Sequence, residues 1–139
     1  MEEPVVEPVR YSAPCEDCGA RLERCGVHSL IGGTLRWDVE SMCRACGQAT
    51  ADCGQVLPAR LRDRLLTDHG PATLHVTDPS VERVTLMRVL RAELGIGLTE
   101  VKAVLGQVLA GAYSGTLPEV EYLARKLRRA GVDAVATRP

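Results

Sequence analysis

The chain has 139 residues and a formal net charge of −1, enough for one ordinary domain or two small ones and too balanced to predict nucleic-acid binding from charge alone. No apolar run approaches the roughly 18 residues needed to span a membrane. Phe is absent and there are one Trp and three Tyr, so any core must be packed from Leu, Val and Ala.

Residues 1–10, MEEPVVEPVR, are acidic and proline-bearing and read as a loose tail. They show neither a basic n-region nor an apolar h-region, so no signal peptide is expected and the protein is expected to be cytoplasmic. The preference for Arg over Lys points to a GC-rich bacterial coding sequence. In a reducing compartment, regularly spaced cysteines more often bind metal than form disulfides. Charge is split along the chain. Residues 1–57 carry five Arg against nine Asp or Glu, whereas 58–139 carry twelve Lys or Arg against nine acids. Such asymmetry marks two modules.

All six cysteines fall in 11–57. CEDCGARLERCG (15–26) and CRACGQATADCG (43–54) obey one rule: Cys, two residues, Cys, Gly, five residues, Cys, Gly. In each CxxC-Gly, a tight turn can aim backbone amides at the thiolates. Two such turns offer Cys15, Cys18, Cys43 and Cys46 as the tetrahedral sulfur set that one structural Zn2+ prefers. Between them, LRWDV (35–39) alternates as a half-buried strand does, and Gly32–Gly33 supplies a hairpin turn. The stretch 11–57 resembles a zinc ribbon. Iron in a rubredoxin-type site uses the same spacing, and a thioredoxin-like redox pair needs only one CxxC. Cys25 and Cys53 occupy equivalent places in the repeat. They read as small buried thiols, with an auxiliary-ligand or redox-sensitive pair as the alternative. His28 is a weaker candidate ligand.

PARLRDRLLTDHG (58–70) reads as a connector helix. Pro58 suits its first position, Gly70 its C′ position, and Leu61, Leu65 and Leu66 form an apolar stripe. In the remainder, Leu74–Val76 reads as a strand. A helix over 81–94 follows the start signals Asp78, Pro79 and Ser80, and Gly95–Ile96–Gly97 breaks it. Thr99 is the expected cap of a second helix to about 110, and 112–116 is a short strand. Thr116–Glu119 is a capping box opening a helix to Ala130, Gly131 ends it, and VDAVA closes as a strand.

This order, with RVTLMRVLR (83–91), LGIGLTEVKAVL (94–105) and LARKLRRAGVDAVA (123–136), resembles the C-terminal domain of the bacterial ribosomal stalk protein over about 72–137. The resemblance implies a βααβαβ sandwich of three helices on a three-stranded sheet, so the chain is expected to be α+β: a β-rich zinc ribbon, then this domain over 71–139. It also implies that the surface docking translational GTPases maps onto Arg83, Val84, Met87, Arg88, Arg91 and Lys102. Helical spacing independently puts Val84, Met87, Arg88 and Arg91 on one face and Leu86, Val89 and Leu90 on the other. If the acidic ribbon rested on that basic face, the stripe would instead be an intramolecular contact. A metal module stands where a stalk protein has its dimerisation segment and hinge.

No catalytic constellation emerges. His28, His69 and His75 are scattered, no phosphate loop, HExxH or nucleophile elbow is present, and four cysteines close a zinc site. The expected function is that of a non-enzymatic protein-interaction protein binding a translational GTPase or the ribosome. An immunity protein or antitoxin that occludes a toxin is the alternative, and a nucleic-acid-binding ribbon ranks third because the ribbon is acidic.

Overall fold

The computed structural model describes residues 2–77 and 82–139. The chain forms two compact units, Met1–His69 and Gly70–Pro139, each with its own core.

The first unit is an antiparallel meander of β1 (Val5–Pro14), β2 (Arg21–Ile31), β3 (Thr34–Met42) and β4 (Ala49–Gln55), in that spatial order. Gly32 and Gly33 both adopt positive φ at the β2–β3 turn, as a tight hairpin matched to strand twist demands. The expected loose tail is instead most of β1. It pairs with β2 from Val5↔Leu30 to Pro14↔Arg21 and buries Val9. Pro8 and Pro14 are tolerated because β1 is an edge strand, where a residue lacking an N–H can face outward.

The helix α1 (Ala59–His69) follows. Pro58 lies one residue before it, with its carbonyl accepting from Leu61 and Arg62, rather than at the first helical position. The segment expected to be a connector is also core. Leu61 and Leu65 pack with Val9 and Trp37, and Leu57, Tyr11 and Val39 close the cluster. Trp37 lies over Gly26 on the neighbouring strand, and a Cβ at Gly26 would run into its ring.

The second unit comprises β5 (Ala72–Val76), α2 (Arg83–Leu94), α3 (Leu98–Leu109), β6 (Ser114–Gly115), α4 (Leu117–Arg129) and β7 (Ala134–Thr137). The order is βααβαβ, and the antiparallel sheet runs β6-β5-β7. The start signals Asp78, Pro79 and Ser80 lie outside the described residues. Gly95 ends α2 in the left-handed conformation, and Gly97, not Thr99, precedes α3, which begins two residues earlier than a Thr99 cap would allow. A Gly cap satisfies no amide with a side chain; Gly97 itself is ordinary extended backbone (φ −80°, ψ 175°), and the left-handed residue of the turn is Gly95. The Thr116–Glu119 capping box forms in full. Leu74, Leu86, Leu90, Val101, Leu105, Val108, Val120, Leu123 and Leu127 make a buried aliphatic core, with Tyr113 packed at its edge. At roughly 25 cal/mol per Å² of apolar area, such closely packed aliphatics supply the main drive for folding.

Candidate metal centre

The two CxxC turns sit at one end of the first sheet. Cys15–Ala20 links β1 to β2, Cys43–Gln48 links β3 to β4, and the Gly32–Gly33 turn is at the far end. The sequence repeat is therefore a pair of equivalent hairpins. Both turns close alike. Cys15 N–H donates to Ala20 O and Gly19 N–H to Cys15 O, while Cys43 N–H donates to Gln48 O and Gly47 N–H to Cys43 O. Gly19 and Gly47 hold φ of 75° and 79°, which a side chain rarely permits.

These turns bring Cys15, Cys18, Cys43 and Cys46 together, with their Sγ atoms all within 4.8 Å of one another. Cys15 and Cys46 are 3.7 Å apart and Cys18 and Cys43 3.6 Å. A tetrahedron of sulfurs about 2.3 Å from a central ion has edges of about 3.8 Å, so the donor set fits one metal ion, and four thiolates favour zinc. Cys15 and Cys43 are buried against Leu22 and Ala20, while Cys18 and Cys46 are exposed. Each turn thus contributes one inner and one outer ligand.

The electrostatics show why a cation belongs there. The Cys46 amide, assisted by that of Ala45 against desolvation, lowers the Cys43 thiol to about 7. The Gln48 amide pulls Cys46 down, but desolvation and the surrounding sulfurs outweigh it and push that thiol up to about 12. The Ala20 amide likewise lowers Cys18, and neighbouring Cys43 and desolvation reverse the effect, leaving it raised. The first thiolate forms readily and the last resists, because sulfurs this close cannot all be charged without a compensating ion.

The other predicted residues lie elsewhere. His28 is buried on β2 opposite Glu7 and Trp37 and outside the sulfur cluster. Cys25 is half-buried on β2 opposite Glu40, and Cys53 is exposed on β4, with β3 running between their strands; both are free thiols. His69 ends α1, where its Nε2 donates to Pro8 O. On the second unit, Arg83, Val84, Arg88, Arg91 and Lys102 are exposed. Met87 is half-buried against the core, and Leu86 and Leu90 point fully into it.

Sequence reasoning missed Gln48, whose Oε1 lies 3.3 Å from Cys15 Sγ. It reaches from the second turn to the inner ligand of the first. Once Cys15 is a metal-bound thiolate, the amide can turn its Nε2 donor to that sulfur. The repeat held a signal, since Gln48 and Ala20 occupy equivalent places and only one has a polar side chain. No described helix is long and apolar enough to cross a membrane. Compared with protein-family models, with curated proteins and with solved structures, the chain matches none.

Proposed function

We propose that this is a non-enzymatic interaction protein. Its N-terminal sheet is a zinc ribbon holding one structural Zn2+ through Cys15, Cys18, Cys43 and Cys46, and its C-terminal unit is a stalk-like domain that docks a translational GTPase. Bound Zn2+ would offset two of the four thiolate charges and tie the two hairpins together, a contribution to folding that a small sheet with a modest core needs. Zinc is the reading because four closed thiolates are a standard structural zinc set, and metal analysis separates it from iron, which takes the same four sulfurs.

One observation carries the docking half. Val84 on α2 is 62% exposed, and Arg88 and Arg91 share its face. Those two guanidiniums, Arg83 and Lys102 have no carboxylate partner among the described residues. Leu98, at the turn into α3, is exposed as well. Apolar side chains ringed by unpaired positive charge suit a partner that is acidic at its rim and apolar at its centre. The βααβαβ order supports the stalk-like reading, but function must rest on this face rather than on the fold.

Two measurements test the proposal. Native mass spectrometry should find one zinc per chain and none after Cys15→Ser/Cys43→Ser. Surface plasmon resonance against a purified translational GTPase should show binding that Arg88→Glu/Arg91→Glu abolishes. Unchanged binding by that variant, or no binding by the wild type, would sink the docking half and leave the zinc half standing.

A further inference from the structure

The two edges of the zinc-binding sheet are treated differently. β1 is closed. Cys15 N–H bonds to Ala20 O, so by antiparallel alternation the outward backbone groups of β1 fall on even-numbered residues. Pro8 and Pro14 occupy such positions and offer no N–H. The outward carbonyls of Pro8 and Arg10 accept from His69 and Arg64 of α1, at 2.7 and 3.1 Å. Proline and capping side chains are standard ways to blunt an edge.

β4 has such protection only at its far end, where the Asp38 carboxylate accepts from Gly54 N–H and the register with β3 shifts between Trp37 and Val39; its metal-proximal half, from Ala49 to Asp52, has none. Ala49–Gln55 contains no Pro, Lys or Arg, and six of its seven residues are exposed. Counting from the Cys43 N–H to Gln48 O bond, Ala49 and Ala51 turn their backbone groups outward. An open edge of this kind is a template for an added strand.

The edge borders an open cleft of about 960 Å³, lined entirely by the first unit. The cleft lies on the sheet face opposite α1, since its β1 and β3 residues alternate with Val9 and Trp37, which α1 covers. Ala49 and Ala51 line it with small side chains, and Met42, 66% exposed, stands at its metal end. Its arginines are not equivalent. Arg10 is tied to Glu23 at 3.4 Å, and Arg21 and Arg44 are exposed and without a carboxylate partner among the described residues, so two free guanidiniums outnumber the one free carboxylate of the lining, Glu40. Arg44 stands between two ligand cysteines and Arg21 just beyond the other knuckle, so the metal would fix both backbones. Aromatic residues are confined to the opposite face, where Tyr11 and Trp37 pack with α1, so a nucleobase would find no stacking platform here.

We propose that this cleft binds an extended acidic segment of a partner protein, which adds to β4 as a fifth strand and places carboxylates against Arg21 and Arg44. Backbone pairing supplies affinity that tolerates many sequences, and the two guanidiniums select for acid. This surface is separate from the α2 face and does not depend on it.

The test uses the zinc-loaded full chain and a fluorescein-labelled peptide, Thr-Glu-Thr-Glu-Thr-Glu-Thr, followed by fluorescence anisotropy and by amide NMR shifts. We expect saturable binding, with shifts concentrated at Ala49 and Ala51. The Thr-Lys counterpart, Arg21→Glu/Arg44→Glu and a peptide methylated on alternate backbone nitrogens should each bind about tenfold more weakly or worse. The methylated peptide leaves the protein untouched, so its effect cannot come from misfolding. Equal binding of the Thr-Lys peptide, indifference to backbone methylation or no binding of the Thr-Glu peptide overturns the proposal. So does sedimentation showing the β4 edge already occupied by a second copy of this chain, or an oligothymidine competing for the cleft more strongly than the peptide.

Discussion

Adding one methyl group at Gly26 gives a prediction whose sign is diagnostic. Gly26 is on β2, and its φ lies outside the left-handed region, so its backbone accepts any residue. Strand entropy alone would make Gly26→Ala stabilising by about 0.5–1 kcal/mol. The packing says the opposite. A Cβ there would fall inside contact distance of three carbons of the Trp37 ring. That ring is 3% exposed and held by Val9, Leu61 and Leu65, so it has little room to withdraw. Overpacking of this kind costs about 1–3 kcal/mol, which outweighs the entropic gain. Trp37 is the chain's only tryptophan, so its fluorescence in a urea titration reports this unit. Free zinc must be buffered at one concentration, because metal binding shifts the apparent stability. Gly26→Ala should lower the midpoint, and Gly26→Ala/Trp37→Leu, followed through the NMR signals of β2 amides, should be no less stable than Trp37→Leu alone. A Gly26→Ala midpoint equal to or above wild type would refute the argument that the Trp37 ring requires glycine beneath it.

Other consequences can be measured separately. Thr116 is fully buried, and its hydroxyl accepts from Glu119 N–H at 3.3 Å; Thr116→Ala should cost the second unit about 1 kcal/mol in chemical denaturation. Tyr122 donates to Glu93, and that carboxylate, with desolvation, raises the phenol above its ordinary value. A raised folded pKa contributes stability that is complete below about pH 10 and is lost as pH climbs through the folded value. Alkaline unfolding of the second unit should therefore be shallower in Tyr122→Phe; an identical alkaline profile would count against this coupling. Gln48→Ala should weaken zinc about tenfold in chelator competition while stoichiometry stays unchanged. Zinc affinity should fall as pH drops, since every ligand must lose its proton to bind and acid restores it; a pH-independent affinity between pH 5 and 8 would contradict ligation by four thiolates.

What was legible in the sequence was what local spacing determines. Cys-x-x-Cys-Gly specifies a turn within five residues, so the knuckles at Cys15 and Cys43 could be read without knowing where either lay. The same holds for the Thr116–Glu119 cap, whose two hydrogen bonds close within one helical turn. Features that depend on partners distant in sequence were not legible. Residues 5–10 look like a tail because their prolines and acids break the usual strand pattern. They are a strand because β2 supplies the pairing and because Pro8 falls on the outward side. Leu61 and Leu65 look like a connector's stripe until Val9 and Trp37, more than twenty residues away, are placed beneath them. Thr99 offers a hydroxyl for a cap, but the left-handed Gly95 turns the chain early enough that α3 starts at Leu98, with Thr99 already inside it. The β4 edge is the strongest case. Nothing in ATADCGQ marks it as a docking strand, since its composition is bland. Its meaning comes from contrast with β1, whose outward carbonyls are capped by a helix fifty residues further on. The β1 edge is sealed because α1 packs over Val9 beside it, whereas no described helix of this unit covers the metal-proximal half of β4. Leaving β4 open beside two unpaired arginines fits a sheet that binds a partner as well as holding a metal.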